Sequence, residues 1–103
     1  MALSRLAEMY ERAGSVNNDS LVVKALGFLA YRRGEYSRAV QYLTQSAKER
    51  PSDAQVFFFL GLSCDRLGQR NECADSLHKA LALNLKAAQD EQANRVLASL
   101  SGK

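Results

Sequence analysis

The sequence predicts an all-α fold in which antiparallel helical hairpins stack into a solenoid. Two observations carry that expectation. The chain matches itself after a shift of about 34 residues, and a fixed period of this size marks repeat architectures. Within each unit, apolar residues recur at helical spacing between glycine and proline stops. In the shifted register Leu26-Gly27 falls on Leu60-Gly61, Arg32 on Arg66, Gly34 on Gly68, Val22 on Val56 and Leu43 on Leu77. Conservative matches add Phe28 on Leu62, Ala30 on Cys64, Ala39 on Cys73 and Ser46 on Ala80.

The elements follow in order, about six helices in all. Ala2 to Ala13 reads as a helix with Leu3, Leu6, Met9 and Tyr10 on one side, closed by Gly14. The first helix of unit one runs from about Ser20 to Arg33, with Val23, Leu26, Gly27 and Ala30 on one face. Gly34 ends it, as a glycine just past a helix commonly does. The second helix runs from about Tyr36 to Glu49 on the stripe Tyr36, Ala39, Val40, Leu43, Ser46 and Ala47, and Pro51 cannot continue it.

Unit two opens with Ser52 as the expected N-cap and Gln55 as its capping-box partner. Its helices are expected at about Asp53 to Leu67, with Phe57, Leu60, Gly61 and Cys64 inward, and at about Asn71 to Asn84, with Cys73, Ala74, Leu77, Ala80 and Leu81 inward. A final helix, Ala87 to Leu100, has Ala93, Val96, Leu97 and Leu100 on one side and polar residues on the other, which suits the wet end of a stack. Gly27 and Gly61 lie mid-helix, where glycine costs about 1 kcal/mol against alanine. Such a cost points to a close helix approach there, expected opposite Ala39 and Cys73.

Composition narrows the function. The chain has 103 residues, 47% of them hydrophobic and 24% charged, which fits one globular domain and excludes wholesale disorder or a disulfide scaffold. No apolar run approaches the ~20 residues that a membrane-spanning helix needs. The N-terminal stretch carries Arg5, Glu8, Glu11 and Arg12, so it lacks the apolar middle of a signal peptide and the default compartment is the cytoplasm, with a piece of a longer exported protein as the alternative. The net charge of +3 is mild.

At these residues the sequence resembles the tetratricopeptide repeat (TPR) family. The period, the two Leu-Gly pairs, Gly34 and Gly68, Tyr36, Ala39 and Pro51 sit where that family's pattern places such residues. The likeness covers Ser20 to Asn84 fully and the tail to Gly102 in part. It departs from the pattern at Val23, Ala30, Cys64, Arg70 and Leu85. It implies one domain over 1–103: a packing helix at 1–17, repeats at 20–51 and 54–85, and a capping helix at 86–100. The N-terminal segment looks like the second helix of a preceding unit, and the whole is similar to the C-terminal end of a longer bacterial array.

The resemblance implies a right-handed superhelix whose first helices line a concave groove for peptides or partner proteins. Carried over by register, the groove residues are Lys24, Phe28, Tyr31, Arg32, Gln55, Phe58, Leu62, Asp65 and Arg66. Leu21, Gln89, Gln92 and Val96 extend the set. Phe57, Phe58 and Phe59 point about 100° apart, so they cannot all face one core. Phe58→Ala is expected to weaken partner binding and leave the fold intact. The carboxylate clamp of some TPR groups is not expected, because Phe28 and Phe59 stand where asparagine is needed.

Other chemistry finds little support. Cys64 and Cys73 replace Ala30 and Ala39 of unit one and read as small core residues, with a redox pair as the alternative; His78 reads as a surface residue. No catalytic set, phosphate-binding loop, cofactor fingerprint or metal-ligand spacing appears, so neither an enzyme nor a cofactor protein is expected. The leading expectation is a protein-interaction module or scaffold, with self-association as one form of it. The alternatives are a nucleic-acid or acidic-surface binder using Arg5, Arg12, Lys24, Arg32, Arg33, Arg66 and Arg70, and a purely structural cap of a longer array.

Overall fold

The computed structural model describes residues 20–101. It holds five helices: α1 (Ser20–Arg32), α2 (Tyr36–Glu49), α3 (Ala54–Arg66), α4 (Arg70–Ala82) and α5 (Ala87–Ser101). No strand occurs among the described residues. The expected helix at Ala2 to Ala13 lies outside them. The body is elongated, 44 × 24 × 22 Å.

The two hairpins share their turn chemistry. At the end of α1, Glu35 N–H donates to Ala30 O at 2.9 Å and Gly34 N–H to Tyr31 O at 3.1 Å. At the end of α3, Gln69 N–H donates to Cys64 O at 2.9 Å and Gly68 N–H to Asp65 O at 3.1 Å. Both are Schellman closures, which require a left-handed residue. Gly34 (φ +79°) and Gly68 (φ +76°) supply it. After α4 the left-handed position falls on Asn84 (φ 72°), the non-glycine residue that tolerates it best.

Inside each hairpin a glycine lies under a leucine. A Cβ on Gly27 would sit 2.5 Å from Leu43 Cδ2, and one on Gly61 would sit 2.6 Å from Leu77 Cδ2. The close approach is therefore real: the leucine one turn beyond Ala39 or Cys73 fills the space over each glycine, and in the second hairpin the Cys73 backbone also approaches, its carbonyl oxygen 3.3 Å from a Cβ on Gly61. Both leucines are fully buried. α1 and α2 close on each other, α3 and α4 repeat that packing, and α2 joins the units by lying against α3.

The core also departs from the single inward stripe read for α3. That helix touches every other described helix, so it is covered nearly all round. Val56, Phe57, Phe58, Leu60, Leu62, Ser63 and Cys64 are all buried. Ser63 keeps its hydroxyl satisfied by donating to Phe59 O at 2.8 Å. On α2, Ser46 is equally buried, and its Oγ has no hydrogen-bond partner. An unsatisfied buried hydroxyl costs about 1–3 kcal/mol. Unit two places Ala80 at the matching position, fully buried as well. Ser46→Ala is therefore expected to raise stability by about 1 kcal/mol, read from the midpoint of urea unfolding at unchanged slope.

The expected cap at Ser52 is also corrected. Asp53 is the N-cap of α3, and its carboxylate accepts from the N–H groups of Gln55 and Val56. Ser52 is exposed. Both residues can cap a helix. Asp53 prevails because the same carboxylate also binds two cations, as described next.

Candidate functional site

α1 touches α3 and α3 touches α5, whereas α2 and α4 do not meet. The first helices of the units thus share one face, the expected groove face, called the inner wall below. Its polar end is built around Asp53. Lys24 Nζ reaches Asp53 Oδ2 at 2.6 Å, and Arg50 Nε reaches the same oxygen at 3.1 Å. Lys24 comes from unit one and Asp53 opens unit two, so this bridge fixes one hairpin on the next. Burial by itself raises the Asp53 pKa; the hydrogen bonds from Lys24 and Arg50, the Lys24 charge and the Val56 N–H outweigh it and hold the group below its ordinary value.

A carboxyl with a depressed folded pKa contributes stability above its unfolded pKa and loses it as pH falls through the folded value. The contribution of Asp53 is therefore present at neutral pH, starts to fall near the ordinary carboxyl pKa of about 4 and is lost as pH drops through the lower folded value. In Asp53→Asn the acid-side fall in unfolding free energy is expected to be shallower than in the parent, measured by urea unfolding between neutral pH and pH 3.

From Lys24 a run of aromatic rings crosses the wall. Lys24 Nζ lies 5.5 Å from the Phe28 ring centre. Phe28 meets Phe59 at 4.8 Å, Phe59 meets Tyr31 at 5.3 Å and Phe58 at 5.0 Å, and Tyr31 meets Tyr36 at 5.7 Å. Arg66 Cζ closes the run 5.9 Å from the Tyr36 ring. Tilted and edge-on rings at such separations attract beyond their buried area. Burial pushes the Tyr31 hydroxyl pKa up, aided by Tyr36 and Asp65 and opposed by Arg66.

Seven of the nine expected groove residues keep some exposure: Lys24, Phe28, Tyr31, Gln55 and Asp65 are half-buried, and Arg32 and Arg66 are exposed. Phe58 and Leu62 do not. They are 1% and 5% exposed and belong to the core, so both are corrected as groove residues. At the Phe58 end the neighbour is α5. Gln55 Nε2 donates to Gln89 Oε1 at 2.6 Å, and Gln89 Nε2 returns a bond to Gln55 Oε1 at 2.9 Å. This amide pair sets α5 beside α3 one repeat later. One turn on, Phe58 and the small residue Ala93 share the same buried cluster.

Two residues of the wall do not stand out in the sequence as such. Phe59 is the hub of the ring contacts, and its spacing from Gln55 (i+4) and Leu62 (i−3) could have placed it on that row. Tyr36, read as core, is half-buried and links the wall to the turn edge. The thiols of Cys64 and Cys73 are buried and free, and burial pushes the Cys73 thiol up to about 11. No group of three or more His, Cys, Asp or Glu among the described residues is placed to hold a metal ion. No described helix is long and apolar enough to cross a membrane.

The arrangement offers apolar ring surface with fixed charges at both ends, suited to holding another polypeptide. No protein-family profile and no curated protein matches the chain significantly. Among solved structures it is similar to MamA AMB-1, a TPR-like protein, with a TM-score of 0.80 and 26% identity over 95% of this chain. The chain spans about half of that one, 54% of its length. The fold of this chain is accordingly the TPR-like helical repeat.

Proposed function

We propose that the chain is a protein–protein interaction module that holds a segment of another protein against the inner wall of its repeats. The TPR-like fold supports the scaffold role. The observation that supports the wall as the binding face is the ring run Phe28–Phe59–Tyr31, which the fold leaves half-exposed instead of filling with core. Lys24, Arg32, Asp65 and Arg66 frame it with charge of both signs. Apolar anchors inside a charged rim concentrate binding energy in a few residues.

Selection of peptides from a displayed random library against the whole chain tests this. Selected peptides are expected to lose about tenfold or more in affinity to Tyr31→Ser and to Phe28→Ser. Thr44→Ala and His78→Ala, on the outer faces of α2 and α4, are expected to change nothing. Circular dichroism confirms that each variant stays helical. Peptides that ignore both wall variants and respond to the outer pair would overturn the reading.

A further inference from the structure

The arginines of this chain are not spread evenly. Of the seven among the described residues, Arg32, Arg33, Arg38, Arg66 and Arg70 lie beside the two Schellman turns, and none of the four described lysines does. Only Glu35, Asp65 and Glu72 oppose them there, and Glu35 pairs with Arg33 at 3.4 Å. The opposite edge, from Glu49 to Asp53 and from Leu83 to Asp90, mixes both signs about evenly.

The same arginine-rich edge carries an open cleft of about 470 Å³, lined by Gly34, Glu35, Tyr36, Ser37, Arg38 and Leu67. Leu67 is 38% exposed. It stands in unit two where unit one has Arg33, so the apolar contact is particular to this junction. Arg66 lies over the Tyr36 ring beside it.

We infer that this turn edge is a second docking surface, for an extended acidic segment of a partner protein with a bulky apolar residue among its carboxylates. The apolar residue enters the cleft against Leu67 and Tyr36. The carboxylates meet guanidinium groups, whose flat fork matches a carboxylate bidentately and stacks on rings in a way lysine cannot. A protein segment fits better than a nucleic acid. Bases bind by stacking on open aromatic faces, whereas Tyr36 is already engaged by Arg66 and Tyr31, and the exposed apolar group is a leucine. This surface adjoins the inner wall at Tyr36 and Arg66 and extends beyond it through Arg38 and Leu67, which the wall does not use.

Fluorescence anisotropy of a labelled peptide, a central leucine between paired glutamates, titrated with the whole chain tests the inference. Saturable binding is expected, weakened about tenfold by Leu67→Ser and by Arg38→Gln and falling with salt. Lys86→Gln at the opposite edge and Phe28→Ser on the inner wall are expected to leave it unchanged, so this surface and the wall fail separately. Leu67 caps α3 from outside the helix, and Arg38→Gln still tests the surface if Leu67→Ser loses helicity. No saturable binding, equal binding by both variants, equal binding of a glutamine version of the peptide, or displacement by a single-stranded oligonucleotide would each overturn it.

Discussion

Phe58→Ala is expected to lower the free energy of unfolding by about 3–5 kcal/mol. The register of the repeat places Phe58 on the inner wall, at the position that Lys24 holds in unit one, and from that position alone its loss should touch binding only. Its environment says otherwise. At 1% exposed it is the largest fully buried side chain among the described residues. It lies on the helix that touches all the others. A domain of this size has about 5–15 kcal/mol of stability in total. The variant is therefore expected to be partly unfolded at ambient temperature, with the urea midpoint and the thermal midpoint both falling. A variant with unchanged midpoints and weaker partner binding would restore Phe58 to the wall.

The second large effect lies at the glycine–leucine contact. Leu77→Ala is expected to cost about 2–5 kcal/mol by leaving a cavity in the second hairpin. Gly61→Ala alone is expected to cost about 1–3 kcal/mol through overpacking, less what helix propensity returns. Its new Cβ would lie 2.6 Å from Leu77 Cδ2 and 3.3 Å from the carbonyl oxygen of Cys73. Removing the Leu77 side chain relieves the first clash. The double variant should thus be more stable than the sum of the singles implies, with a coupling of about 1 kcal/mol or more. Gly27 and Leu43 repeat the contact, at 2.5 Å, so the same cycle in the first hairpin should give a coupling of the same sign. Additive values in both hairpins would mean that the glycines are there for some other reason.

The parts of this fold legible in the sequence are those fixed by local chemistry. Tyr36–Glu49 is found at its expected ends because a glycine turn precedes it and Pro51 follows it. Gly34 and Gly68 take the positive φ that their place after a helix demands. The paired Leu-Gly steps give the close helix approach, and of the large residues on the facing helices it is Leu43 and Leu77, one turn beyond Ala39 and Cys73, that lie over the glycines. The cap of α3 is ambiguous in the sequence because Ser52 and Asp53 are both competent. Long-range pairing with Lys24, 29 residues earlier, decides it for Asp53.

The wall is only half legible for a related reason. Register identifies positions that face inward, but burial there depends on what lies across. Lys24 stays half-exposed in unit one, and Phe58 at the matching place is covered once α5 docks through Gln55 and Gln89. Among three successive phenylalanines, periodicity cannot tell which one a later helix will cover. Phe59 therefore becomes the ring hub of the wall, and Phe58 becomes core.

Amide chemical-shift mapping on the isotopically labelled whole chain, titrated with a library-selected peptide, tests the interaction reading most directly. Shifts concentrated on α1 and α3, around Lys24, Phe28, Tyr31 and Phe59, are the expected result. Shifts confined to the outward faces of α2 and α4, around Gln41, Thr44, Asp75 and His78, would contradict it.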